Sequence, residues 1–317
     1  DEMRRSAYEF IDRYWGSETP VRPVRVGEGA MEKPADLWAT ETGQVWTSLG
    51  GTTIFDINRQ RAGGWVLNNT RMRMRPEDIR RYLDLPTTIL PQAVRAAGTL
   101  ERAGRTVEKL ILQSEPGILV PALVFRPAAV GKHPAVLFLD DRGKAAEARP
   151  GGELDQLAER GYLAMAIDVR GIGETAPESA AAPAKPRPHE RLYRDFFFNP
   201  DANLARAAMN LGRPLLSMRV QDALVALGYL AARPDVDPSD LRVLGHREGG
   251  VIALFVGALD ERVRMTVAHR PLVDFRTLLE NRYYAQPASL FVLGVLRHFD
   301  LPQVVGAAGP RRVLLIN

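Results

Sequence analysis

Cysteine is absent from the 317-residue chain, which excludes disulfides, thiolate nucleophiles and cysteine-based zinc sites and leaves the compartment open. Lysine is scarce: five of the 42 basic residues are lysine (33, 109, 132, 144 and 185), and the rest are arginine. Those arginines run along the whole chain. The net charge of +4 therefore reads as an arginine-rich coding bias, since a nucleic-acid footprint would gather on one face beside aromatic platforms. The densest cluster, Arg71, Arg73, Arg75, Arg80 and Arg81, reads as a solvated face. Long apolar runs are lacking too; none approaches the ~18 residues that a membrane span requires. The five histidines, at 133, 189, 246, 269 and 298, never fall at zinc spacing with a carboxylate. No metal, cofactor, nucleic acid or membrane is expected as a partner. The chain starts at Asp1 without a signal-like segment and stops within an apolar run at 313–317, so it reads as a piece truncated at its C-terminus, and the missing leader says nothing about export.

A composition 45% hydrophobic and 25% charged is that of a globular protein, and the length accommodates one large domain with a smaller appendage. Residues 1–15 carry apolar and aromatic side chains at helical spacing and stop at Gly16. Residues 17–29 read as an extended linker with Pro20 and Pro23. Between 42 and 69 three short runs look β-like (45–49, 52–57 and 65–67), broken by Gly50-Gly51 and Gly63-Gly64. Pro76 opens a helix to about Leu83. From Thr106 onward, strands are predicted at 107–113, 118–126, 135–139, 163–167, 241–244, 263–268 and 313–316, with helices at 152–160 and 215–232. Buried strands alternating with helices predict an α/β fold whose mainly parallel sheet is covered on both faces. A Pro/Ala-rich and aromatic insertion at 176–210, with Tyr193 and Phe196 to Phe198, interrupts this rhythm. It is placed where a lid would lie.

The most informative stretch runs from Leu241 to Phe255. A short apolar strand enters Gly245-His246-Arg247-Glu248-Gly249, and an apolar helix follows. This is the strand-turn-helix context of a G-x-S-x-G nucleophile elbow, with arginine where serine belongs. A guanidinium offers donors only and cannot attack a carbonyl. A chain with 27 glycines also produces this spacing by chance, so the motif draws its weight from its neighbours. Those are Asp168-Val-Arg-Gly-Ile-Gly-Glu-Thr175 after a buried strand, Val236-Asp-Pro before the elbow strand, Ala258-Leu-Asp-x-Arg-Val after its helix, and the strand after Pro310.

Together these segments resemble the acetyl-xylan-esterase-like members of the α/β-hydrolase superfamily, over roughly 106–317. Residues 1–16 resemble the last helix of a preceding unit of the same kind, with 17–105 as linker and irregular arm. The resemblance implies an α/β-hydrolase fold and a triad in the order Ser, Asp, His. The first role falls on Arg247 and fails, and the other two fall beyond Asn317. The resemblance places the oxyanion loop at Asp140-Asp141-Arg142-Gly143, where two carboxylates oppose a developing oxyanion unless Arg142 or Lys144 neutralises them. An ion pair from Arg247 to Asp140 or Asp141 would join both departures; the alternative is that the acids face solvent. His246 and Glu248 are expected to point away from the centre, and His269, His298 and Asp274 carry no assigned chemistry. Without catalysis, Arg247 is expected to relax to an ordinary negative φ.

The expected function is that of a catalytically degenerate domain with a structural or glycan-binding role. The alternative is an active carbohydrate ester hydrolase that uses a neighbouring domain or another nucleophile. A third option, a basic module on an acidic polymer, predicts steep salt dependence. The resemblance implies an acetylated polysaccharide or other ester as partner, beside an adjacent hydrolase-like domain, and a secreted or periplasmic location.

Overall fold

The computed structural model describes residues 2–15, 32–69, 73–87, 89–177, 199–283 and 285–317. The chain divides into two compact units, Asp1–Ile54 and Phe55–Asn317. The first holds α1 (Glu2–Trp15) and α2 (Val45–Leu49), the latter ended by Gly50 in the left-handed region at φ 65°. At the boundary α3 (Ile54–Asn69) begins. The β-like reading of 45–49, 52–57 and 65–67 is thus corrected: 45–49, 54–57 and 65–67 are helical. Runs this short carry no period that separates strand from helix. Gly63 and Gly64 lie within α3 with open space around them, where each costs only about 1 kcal/mol relative to alanine.

The second unit is built on one eight-stranded sheet of order β1-β2-β3-β5-β4-β6-β7-β8. Its strands are β1 (Ala93–Arg102), β2 (Arg105–Glu115), β3 (Ile118–Phe125), β4 (His133–Asp140), β5 (Leu163–Ile167), β6 (Val236–His246), β7 (Val263–His269) and β8 (Arg312–Ile316). The first three form an antiparallel ribbon, and β3 pairs antiparallel with β5. From β5 to β8 every pairing is parallel. Three elements from the stretch that the sequence assigned to an irregular arm belong to this unit. They are α3 from Phe55 onward, with Ala62 in the core, α4 (Pro76–Tyr82), with Ile79 fully buried there, and β1 itself.

Side-chain alternation divides the sheet faces. On β5, Leu163, Met165 and Ile167 join the main core, while Ala164 and Ala166 face the opposite way. The main core is closed by α7 (Leu215–Ala232) and α8 (Glu248–Leu259), and the other face by α5 (Glu153–Glu159) through Leu154 and Ala158. By length and composition α7 could cross a membrane, yet 78% of it is buried within the molecule, so it is a core helix. The remaining α-helices among the described residues are α6 (Pro200–Asn210), α9 (Thr277–Glu280) and α10 (Leu301–Ala307). Of the insertion at 176–210, residues 178–198 lie outside the described residues. His189, Tyr193 and Phe196 to Phe198 go with them.

Candidate active site

The carboxyl ends of three parallel strands meet in register, with Asp140 of β4 beside His246 of β6 and His246 beside His269 of β7. One residue, Arg247, connects β6 to α8. Two glycines make that turn possible. A Cβ on Gly245 would come within 2.1 Å of the Gly249 carbonyl oxygen, and one on Gly249 within 2.3 Å of the Leu139 carbonyl oxygen. Strand and helix therefore approach as closely as backbone allows.

Arg247 has φ 50° and ψ −112°. This corrects the expectation of a relaxed backbone: the residue holds a strained conformation in the strand-to-helix turn, at a cost of about 1–3 kcal/mol. The cause is local over-determination. Its N–H donates to the His269 carbonyl at 2.8 Å, its carbonyl accepts from Gly250 and Val251, and the glycine contacts leave the chain no other path.

The side chain crosses to the loop that follows β4. Arg247 Nε donates to Asp141 Oδ2 at 2.7 Å and Oδ1 at 3.0 Å, a second contact runs from Nη2 to Asp141, and Nη2 reaches Asp140 Oδ1 at 3.5 Å. Of the two acids offered by the sequence, Asp141 is the principal partner. Arg247 remains 44% exposed. The bond to Asp141 raises its pKa above even the usual guanidinium value, so the elbow centre is a permanent cation.

Asp140, with a fully buried side chain, is held by other groups. Arg142 donates to it from its N–H at 2.8 Å, from Nε at 2.9 Å and from Nη2 at 2.8 Å, and His246 Nδ1 lies 3.3 Å away. Burial pushes this carboxyl up, but hydrogen bonds from Arg142 and His246 outweigh it and hold Asp140 well below the usual carboxylate range. Gly143, at φ 87°, donates its N–H to the Asp140 carbonyl at 3.0 Å. The N–H groups of Arg142 and Gly143 are therefore engaged within the loop. Lys144 does not neutralise the loop acids; it is buried against Asp168, with Nζ at 2.6 Å.

His246 packs edge-on against Phe138 and His269 and places Nε2 3.3 Å from Glu153. Its hydrogen bond with Asp140 raises its pKa, against the opposing effect of burial. Glu248 turns the other way, accepting from Arg219 Nη1 at 3.1 Å and Ser289 Oγ at 2.9 Å, and burial pushes its pKa up. Arg219, 2% exposed, also pairs with Asp201 of α6 at 2.6 Å and donates to the Arg170 carbonyl. Arg170 itself grips the buried Asp222. Sequence reading missed Glu153, Arg219 and Asp222. The available signal was two charges, at 219 and 222, inside the most apolar long helix. His298 stacks against Tyr82 away from the elbow, and Asp274 caps α9 through Thr277.

Residues 104–287 match the acetyl xylan esterase (AXE1) family, a span that includes the elbow and the loop that faces it. The chain belongs to that family. It is 26% identical over 262 residues to YtaP of Bacillus subtilis (strain 168), a protein named as a hydrolase, covering 76% of this chain and 78% of that one. A Bacteroides fragilis structure titled as an acetyl xylan esterase superposes with a TM-score of 0.65 at 17% identity, over 90% of this chain and 79% of the other. Acetyl xylan esterase 1 from Thermoanaerobacterium sp. superposes with a TM-score of 0.50 at 21% identity, over 79% and 81%. These likenesses establish the α/β-hydrolase fold. Within it, Arg247 occupies the elbow centre.

Proposed function

We propose that this member of the acetyl xylan esterase family has lost ester hydrolysis at its elbow and serves as a structural or glycan-binding domain. The observation that carries the reading is the Arg247–Asp141 ion pair spanning the place where attack would occur. A protonated guanidinium has no lone pair to offer an acyl carbon. The Asp141 carboxylate stands where negative charge would develop, and the Arg142 and Gly143 N–H groups are already committed to Asp140, so charge stabilisation fails as well. The exposed part of the pair still offers donors and acceptors to sugar hydroxyls. Acetylated xylan, the substrate in the family's name, is the ligand class to try.

A second reading is an active ester hydrolase working through a nucleophile outside the elbow. The retained positive φ of Arg247 favours it, because strained backbone persists where a site is in use. One experiment separates them: the purified chain is treated with a fluorophosphonate, modified residues are located by mass spectrometry, and turnover of 4-nitrophenyl acetate is followed. The expected result is no modified serine within 106–317 and no turnover above the buffer rate. A labelled serine in that span, or turnover that survives Arg247→Ala, would overturn the first reading in favour of the second.

A further inference from the structure

Away from the elbow, an open groove of about 610 Å³ lies between α3 and the segments 275–282 and 291–297, within the size range of small-molecule sites. Its floor is apolar and continuous with the core: Phe275, Leu278, Val292 and Val295 are buried parts of the main core that also line the groove, as does Trp65 of α3. Its rim is cationic. Arg61, Arg282 and Arg297 all line it. Arg297 lies over the Trp65 ring at 4.5 Å and Arg282 over the Phe55 ring at 5.6 Å, with Asp56 at 3.6 Å from Arg282. Arg61 forms no ion pair with a carboxylate among the described residues, so the rim keeps an excess of positive charge. None of these residues takes part in the Arg247–Asp141–Asp140 cluster.

We propose that this groove binds a small aliphatic monocarboxylate, with its chain on the apolar floor and its carboxylate at Arg61. An apolar trough alone would accept any hydrocarbon, but three guanidiniums on its lip favour an anionic head and oppose a cationic one. Arg61 supplies forked donors that match a carboxylate.

The test uses the full chain and three ten-carbon probes: decanoate, decan-1-ol and decyltrimethylammonium. Calorimetric titration is expected to show decanoate binding at least tenfold more tightly than the alcohol, with the cation weakest. Arg61→Ala, a change at an exposed position, is expected to weaken decanoate about tenfold, equivalent to 1.4 kcal/mol, while leaving the alcohol unchanged. Arg61→Lys is expected to recover part of the loss. Absence of decanoate binding at millimolar concentration, equal affinity for the three probes, or an unchanged affinity in Arg61→Ala would overturn the proposal. Binding that disappears in Arg247→Ala would overturn it too, since the ligand would then sit at the elbow. The probe series on the unmutated chain decides the matter even if a variant folds poorly.

Discussion

At Arg247 a strained backbone and an ion pair coexist, and substitutions can separate them. Both Arg247→Gly and Arg247→Ala lose the pair with Asp141, which at this exposure contributes at most about 1 kcal/mol. Only glycine also relieves the positive φ. Arg247→Gly should therefore be more stable than Arg247→Ala by about 1–2 kcal/mol in urea unfolding, and equal midpoints would mean that the backbone carries no strain. His246 gives a pH test. Its folded pKa is raised above 6.5, chiefly by its hydrogen bond with Asp140. Its contribution to stability is thus complete below pH 6.5 and is lost as pH rises through the raised folded value. Unfolding free energy should fall across that interval, and His246→Gln should flatten the fall; a slope unchanged in the variant would assign it to other groups. The acids at 140 and 141 were legible as partners for Arg247, because two carboxylates in the facing loop need a cation. The φ was not legible: it is set by the His269 carbonyl and the Leu139 backbone, contacts distant in sequence.

At the scale of elements, the turn from β6 into α8 depends on missing side chains. Gly249→Ala would drive a Cβ to 2.3 Å from a β4 carbonyl oxygen, and backbone cannot step aside as a flexible side chain can. A loss of about 3 kcal/mol is expected, read from denaturant midpoints. Gly306→Ala in α10 is the control, since nothing lies within 4 Å of the added methyl and helix propensity should make it stabilising by about 0.5–1 kcal/mol. If the two changes cost the same, close approach is not what fixes the elbow. The same contrast explains which elements the sequence revealed. Strands β4 and β5 are nearly continuous apolar runs because they are covered on both faces, and such runs are easily read. β1 was missed because it lies at the sheet edge with every residue but Arg102 exposed, so no apolar period marks it. The helix over 45–49 was misread because Val, Trp and Thr favour strands and five residues display no period.

Across the whole molecule, burial is concentrated in one unit. Every described buried residue belongs to Phe55–Asn317, and none of the described residues before Ile54 is buried. Local stability follows burial, since an amide exchanges by the least costly opening that exposes it. In hydrogen exchange the amides of β4, β5 and β6 should open only with global unfolding, and those of α1, exposed along its described length, should exchange several orders of magnitude faster. The elbow belongs with the slow class despite its strain, because the Arg247 N–H is bonded to the His269 carbonyl between central strands. Slow exchange at Arg247 would mean that the sheet register holds the turn whatever side chain it presents. Fast exchange there, with β6 still protected, would show instead that the turn opens on its own and that the strain is released locally.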